Sequence, residues 1–394
     1  MKPVAVIGTG LLGRGIAAVA ARSGFPVILH DSNPTALKAG LDAARVESGA
    51  SAVQVTAEAD LARAVAGVEL VIESVIEDLV VKRQVFYELG EANSDAILMS
   101  NSSVLPISQI AVRARRPERA VGTHWWNPPG LIPVVEVIRG RRTSDSVIQR
   151  TVDFLKALGK TPVRVERDVP GFVGNRLQHA LWREALALVS KAECSAEDVD
   201  RIASASLGAS LAERGPIAEM HALGLPQVVR ELEAMLPLIN SDPHPAPLLR
   251  HKVAEGQLGA KTGQGFLTWS AGMRDRTAVR LRSHLLRRLS GIQATSGVPA
   301  LSGRDRDIAR RLRAAVWREA LGMLENNVCS AETIDVMATK TLGLRLAALG
   351  PVENADYVGL DLALAIHEAV LPCLDVGLSI PPKLMRAVEM AEPL

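Results

Sequence analysis

The sequence predicts an α/β chain: a mainly parallel, doubly wound sheet, then two tandem all-helical domains. Three observations predict this. A glycine-rich turn, GTGLLG at residues 8–13, stands between an apolar run and a helical stretch. Short apolar runs then alternate with helical stretches as far as residue 167. Beyond that the chain reads as helical, and one segment of it recurs 135 positions later. Strands alternating with helices build parallel sheets, and a repeat at fixed spacing marks a duplicated unit.

The first strand is VAVI, a short run of the kind buried on both faces. Gly8, Gly10 and Gly13 follow it, and Leu11 and Leu12 open the helix. Gly8 permits the tight turn, Gly10 lets backbone approach a pyrophosphate, and Gly13 allows close helix–strand packing. PVILHD is the second strand and ends in Asp31, eighteen residues after Gly13. That is the place of an acid accepting hydrogen bonds from a ribose diol. Its charge would repel a 2′-phosphate, so a Rossmann-type site for NAD rather than NADP is expected. The competing reading is a glycine turn in an ordinary α/β domain, with Asp31 a solvated strand end. Further strands are expected in VELVIESV (68–75), DAILMSNSS (95–103), AVGTHWW (120–126), VVEVIRG (134–140) and TPVRVER, ending at Arg167.

THWWNPP, residues 123–129, concentrates a histidine, two indoles and an amide in a chain with only five Trp. Ligands of doubly wound sheets bind beyond the carboxyl ends of the strands. SNSSV and THWWN both close strands, which brings Asn101, Ser103, His124 and Asn127 towards one crevice. Glu136 lies twelve residues after His124 on the next apolar run and could return beside the imidazole. A carboxylate there would fix the tautomer of the ring and strengthen it as a general base. Ser103 and Asn175 could hold a substrate oxygen. On spacing alone, a satisfied strand-end histidine remains the alternative.

GTGLLG…D, VIESVIEDLVVKRQVF, SNSSVLPIS, HWWNPPGLIPVVEVI, DVPGFVGNRL and AKTGQGF, in this order over residues 1 to about 270, resemble the L-3-hydroxyacyl-CoA dehydrogenase family. The resemblance implies a Rossmann domain followed by helical domains of the 6-phosphogluconate-dehydrogenase-like kind. It implies that His124 takes the hydroxyl proton while hydride leaves for the nicotinamide, and that Glu136 orients it. It implies that Ser103 and Asn175 hold the substrate oxygen, that Asn127 lines the same site, and that Asn101 and Ser103 lie close to both ligands. Glu77 and Lys82 match family positions near the nicotinamide end of NAD; otherwise they read as an exposed pair at a helix start. Family members commonly carry smaller aromatics where Trp125 and Trp126 stand. Alternate strand residues face opposite sides, so one indole is expected at the site and the other in the core. Both filling core space is the alternative.

Only 42 positions separate Asp31 from Glu73. The acyl-CoA enzymes resembled here carry a markedly longer helical hairpin in this interval, which contacts coenzyme A. Here the stretch 37–64 has one Lys and two Arg, few cations for a nucleotide phosphate. A smaller free hydroxy acid or aromatic alcohol is therefore expected, with a true hydroxyacyl-CoA thioester as the alternative. An NAD-dependent lyase or dehalogenase, or a non-catalytic NAD-binding protein like the relatives recruited as lens crystallins, are the remaining readings.

LWREALALVSKAECSAEDVD, starting at residue 181, is echoed by VWREALGMLENNVCSAETID, starting at 316. The register continues: Trp182 with Trp317, Cys194 with Cys329, Leu207-Gly208 with Leu342-Gly343, Gly215-Pro216 with Gly350-Pro351, Gly224-Leu225 with Gly359-Leu360. PGFVGNRL falls opposite DRDIARRL, so Asn175 becomes Arg310 and the second copy has lost the site. Glu184 and Glu319 are kept in both and read as structural. The expected divisions are 1–167 for NAD, 168–270 for the first helical copy, 271–303 for a basic linker helix and 304–394 for the degenerate copy. The copies would form a pseudo-dimer within a monomer, though a homodimer through other faces stays open.

The net charge of +2 gives no reason to expect nucleic acid or a membrane surface. Cys194, Cys329 and Cys373 form no metal-ligand spacing, and no metal is expected. Absent disulfides, and a first strand starting too early to leave room for a signal peptide, point to the cytoplasm.

Overall fold

The computed structural model describes residues 2–49, 54–207, 215–280, 283, 302–342, 349–382 and 384–385. They form two compact units, Met1–Phe172 and Val173–Leu394.

The first unit is built on eight strands: β1 (Val4–Ile7), β2 (Val27–His30), β3 (Val55–Ala57), β4 (Leu70–Glu73), β5 (Ile97–Ser100), β6 (Ala120–Trp125), β7 (Val134–Ile138) and β8 (Thr161–Val165). Their order across the sheet is β3-β2-β1-β4-β5-β6-β7-β8. Every neighbouring pair is parallel except β6 and β7, which run antiparallel. Strand β3 stands inside the interval where no strand was expected. It is three residues long and pairs with β2 at the sheet edge.

The helices α1 (Leu11–Arg22), α2 (Pro34–Ser48), α3 (Leu61–Val65), α4 (Leu79–Ala92), α5 (Ile107–Ile110) and α6 (Asp145–Ala157) link the strands. Their starts are written in the chain. Asn33 accepts from the N–H groups of Thr35 and Ala36 with Pro34 at the first position, Asp78 caps α4, and Ser144 caps α6. Apolar strand faces and the inner stripes of α1 and α6 close one core around Val4, Ile16, Leu29, Ile72, Met99, Val137 and Leu155.

The first unit continues five residues past the expected boundary at 167. Asp168 accepts from the backbone N–H groups of Ile107 and Ser108 at 2.8 and 2.5 Å. Gly171 N–H donates to the Val104 carbonyl. These contacts bind the start of DVPGF to the sheet's own loops.

The second unit is helical. α7 (Gly174–Ser190) packs against the helix Gly303–Glu325. Around them stand α8 (Ala196–Leu207), α9 (Pro216–Leu223), α10 (Leu225–Met235), α11 (Pro247–Ala254) and the helices Ala331–Met337, Pro351–Val358 and Leu360–Val370. Equivalent residues make equivalent bonds. Asp200 accepts from Ile217 and Ala218 N–H at 2.8 and 2.9 Å. Asp335, 135 positions on, accepts from Val352 and Glu353 N–H at 2.8 and 2.7 Å. A Cβ on Gly215 would strike Asp200, and one on Gly350 would strike Asp335. Most of the expected linker helix, together with Gly208 and Gly343, lies outside the described residues.

Candidate active site

Gly8 turns the chain out of β1 with φ +95°. Its N–H donates to the His30 carbonyl at 2.8 Å, and a Cβ there would sit 2.5 Å from the Ser74 carbonyl oxygen. Only glycine meets both demands. A Cβ on Gly13 would strike the Gly8 carbonyl, whereas one on Gly10 would meet no described atom within 4 Å. Gly10 begins α1 without a side-chain cap, and no acidic residue stands in the first turn. The first N–H groups of α1 therefore suit an external anion. Leu11 is largely exposed and Leu12 partly buried in the same turn.

Asp31 closes the other side of this cradle. Its Oδ2 accepts from Thr9 N–H at 2.9 Å and Thr9 Oγ1 at 2.8 Å, and its Oδ1 accepts from Asn33 N–H at 2.9 Å. Burial pushes the carboxyl up, but the bonds from Asn33 and Thr9 outweigh it and hold it below its ordinary value. An ionised carboxylate has about four acceptor positions, so about one is left for a ribose hydroxyl.

At the end of β6, His124 stands opposite Glu136 of β7 in the antiparallel register. His124 Nδ1 lies 2.6 Å from Glu136 Oε2, with Glu136 fully buried and His124 nearly so. Against a carboxylate acceptor Nδ1 carries the proton, and Nε2 is left as the acceptor of the ring. Trp126 lies beside the imidazole at 5.1 Å between ring centroids, and Phe172 at 5.8 Å. Trp125 points to the opposite face, is 2% exposed and belongs to the sheet core. The two indoles thus divide as strand alternation predicts. Lys160 steadies the turn that follows, donating to the carbonyls of Pro129 and Ile132 and lying 5.5 Å from the Trp125 ring centroid. Asn127 is exposed beyond Trp126.

Asn101, at the end of β5, accepts from Trp125 N–H at 3.0 Å through Oδ1 and donates to Ser74 Oγ at 3.1 Å. It ties the glycine-turn side of the sheet to the histidine strand. Ser103 follows in the same loop. Glu77 accepts from the backbone N–H groups of Ser103, Val104 and Leu105. Lys82 is completely buried, 2.7 Å from Glu73 and 3.5 Å from Glu77. Lys82 is therefore no exposed helix-start residue, whereas Glu77 is exposed yet committed to partners inside the unit. Asn175 belongs to the second unit, where its carbonyl accepts from His179 Nδ1.

Sequence reasoning passed over Glu73, Ser102 and Phe172. Phe172 had a signal: Pro-Gly precedes it, and its own φ of +51° belongs to a tight turn. Among the described residues no group of three His, Cys, Asp or Glu side chains could hold a metal ion.

The family models and the relatives that match the chain make it an NAD-dependent dehydrogenase acting on CH–OH groups. The family model of the 3-hydroxyacyl-CoA dehydrogenase NAD-binding domain matches residues 3–169, and that of the C-terminal domain matches 171–269 and 308–388. The chain belongs to the 3-hydroxyacyl-CoA dehydrogenase family. It is 35% identical to a 5-formyl-3-hydroxy-2-methylpyridine 4-carboxylate 5-dehydrogenase of Mesorhizobium japonicum, over 68% of this chain and 91% of that one. It is also 35% identical to the human mitochondrial hydroxyacyl-coenzyme A dehydrogenase, over 68% and 90%. The crystal structure of 3-hydroxybutyryl-CoA dehydrogenase from Escherichia coli K12 shares the fold across 99% of this chain and 98% of its own. Its TM-score is 0.70 at 22% identity. No described helix is long and apolar enough to cross a membrane.

Proposed function

We propose that the chain oxidises a secondary alcohol β to a carboxylate or acyl group, or reduces the matching ketone, with a small substrate that carries no coenzyme A. The observation carrying this reading is the buried 2.6 Å pair between His124 and Glu136. Bound at the glycine turn and Asp31, NAD supplies the acceptor or donor of hydride. Glu136 holds the Nδ1 proton of His124 and stabilises the imidazolium that forms when Nε2 takes the alcohol proton. Ser103 holds the substrate oxygen and Asn127 lines the pocket, while Asn175 keeps the role that the family resemblance gives it. Trp126 and Phe172 keep water from the imidazole and narrow the space before it.

The size of the substrate is argued from the interval between Asp31 and Glu73. After α2 the chain reaches β3 within seven residues, and α3 is only five residues long. A pyridine carboxylate in the name of one relative supports a free acid. An equally similar relative named for hydroxyacyl-coenzyme A supports the thioester reading. NADH formation from a short 3-hydroxyacyl-CoA, its free hydroxy acid and an aryl β-hydroxy acid separates them. Turnover of the thioester alone would overturn the small-substrate reading. NAD binding without turnover of any would remove the alcohol-oxidation reading.

We further propose that the second helical copy serves structure rather than chemistry, forming with the first a pseudo-dimer within one chain. Matched bonds at Asp200 and Asp335 support it. A cytoplasmic location accords with three free cysteines.

A further inference from the structure

We infer that the first unit carries a second ligand site, remote from His124 and independent of the proposed substrate, for a small organic anion with an apolar body. A cleft of about 340 Å³ is lined by residues of α4, α5, the start of β6 and the turn after β7. That volume suits a small molecule. Much of its wall is apolar: Ile107, Ala111 and Ala120 are buried there, and Pro117 stands with them. Val112 lines it too, although 63% of that side chain's residue is exposed. Ala120 is the first residue of β6, four positions before His124. At about 3.3 Å per residue that is roughly 13 Å along the strand, too far for the occupant to be the alcohol oxidised at His124.

The rest of the wall is cationic. Arg83, Arg141 and Arg142 all line the cleft. Arg83 uses only Nε, which donates to the Gln109 carbonyl at 2.8 Å; a guanidinium has about five N–H donors in all. The exposed side chains of Arg141 and Arg142 make no hydrogen bond or ion pair among the described residues. Glu118, the acid whose charge interacts with Arg142, is already held by Arg116 at 3.0 Å. Segments 113–119 and 139–142 hold seven arginines and one acid, in a chain whose net charge is only +2. On a convex face such charges would simply be solvated. Gathered round a concavity with apolar walls, their field is focused inward and draws an anion. The backbone beneath them is fixed in advance. Arg141 N–H donates to Ser108 Oγ at 2.7 Å, Thr143 N–H to the Gly140 carbonyl at 3.0 Å, and Thr143 Oγ1 to the Ala120 carbonyl at 2.6 Å. The turn is thus pinned to both α5 and β6, which lowers the cost of ordering it on binding. Planar guanidinium forks match a carboxylate or a phosphate, and the apolar wall matches an aryl or alkyl body.

The test uses the full chain and three probes with one ring system: naphthoate, naphthyl phosphate and the uncharged naphthyl methanol. Acetate and inorganic phosphate supply the head groups without the body. Calorimetric titration should give a Kd below about 1 mM for at least one naphthyl anion. The alcohol, acetate and inorganic phosphate should each bind at least about tenfold more weakly. Whichever naphthyl anion binds more tightly names the head group, and either accords with the site. Arg141→Gln with Arg142→Gln should weaken that anion at least about tenfold and leave Tm nearly unchanged, because both side chains are exposed. Val112→Asp, which puts a negative charge on the apolar wall, should weaken it as well, and His124→Gln should not. No binding of either naphthyl anion below about 10 mM would overturn the inference. So would an alcohol that binds as tightly as the anions, or a Kd unmoved in the double arginine variant. Binding lost in His124→Gln would place the anion beside the histidine and overturn it too.

Discussion

Arg176 donates from Nε to Glu319 Oε1 at 2.6 Å, and 135 positions on Arg311 donates from Nε to Glu184 Oε1 at 2.7 Å. The second oxygen of each glutamate repeats the relation. Asn240 N–H donates to Glu319, and Asp375 N–H donates to Glu184 at 2.8 Å. Each copy's glutamate is thus closed by the arginine and the backbone of the other copy, the reciprocity of an isologous interface.

Both glutamates are 1% exposed. Removing an arginine would leave a buried charge with only part of its bonding. Arg176→Met and Arg311→Met should each lower stability by about 3 kcal/mol, as expected for breaking a buried pair from one side. The loss should appear in urea unfolding of the second unit, with NAD affinity unchanged. The two variants should behave alike although only the first copy carries Asn175. A neutral Arg311→Met would remove the argument for a pseudo-dimer.

The proposed chemistry predicts a split between binding and turnover. His124→Gln removes the proton acceptor and should lower kcat by about 100- to 10,000-fold, while NAD still binds. Glu136→Gln can donate its amide to Nδ1 and so favours the wrong tautomer; it should lose about as much. Stopped-flow NADH formation, with NAD binding followed by protein fluorescence, separates the two effects. Turnover surviving in His124→Gln would end this assignment.

The longer strands were legible from simple periodicity, whereas Glu136 beside His124 was legible only as an option on the next apolar run, to which the family resemblance gave a role. Two apolar runs joined by NPPG place residues 124 and 136 opposite each other once the strands are antiparallel. Strand β3 was not legible: three residues are too few to show alternation, and an edge strand carries little apolar signal. Lys82 was misleading for a different reason. A lysine near a helix start defaults to solvent, and only the fold brings it onto Glu73, nine positions away on a strand. Phe172 was signalled only by the Pro-Gly before it, since the positive φ that turns its ring towards His124 is rare outside glycine.

His367 predicts acid sensitivity in the second unit. It is 1% exposed, neither ring nitrogen has a hydrogen-bond partner among the described residues, and Trp317 lies 5.2 Å away. Leu249, Phe266, Leu321 and Val352 complete an apolar lining. Burial lowers its pKa to about 4 from 6.5. The neutral form is favoured on folding, so this stability is complete above about pH 6.5. It is lost as pH falls towards 4, because the unfolded chain takes up the proton first. The change is about 3 kcal/mol over that window. His367→Leu should raise Tm at pH 5 more than at pH 7.5; an equal change at both would show that the ring does not drive the loss.

The paired tryptophans give the last prediction, because neighbouring residues on one strand serve different ends. Trp125 belongs to the sheet core and Trp126 to the wall beside His124. Trp125→Phe should leave a void and lower stability by about 1–3 kcal/mol, with little change in substrate choice. Trp126→Phe removes area from a partly exposed side chain, so its stability cost should be smaller. Its effect should fall on selectivity, as about a tenfold shift in relative kcat/KM from a short hydroxy acid towards a bulkier aryl one, the scale of one lost apolar contact. Thermal melts and kcat/KM for the two acids test both variants together. If Trp125→Phe changes selectivity while Trp126→Phe changes only stability, the indole beside His124 does not shape the pocket.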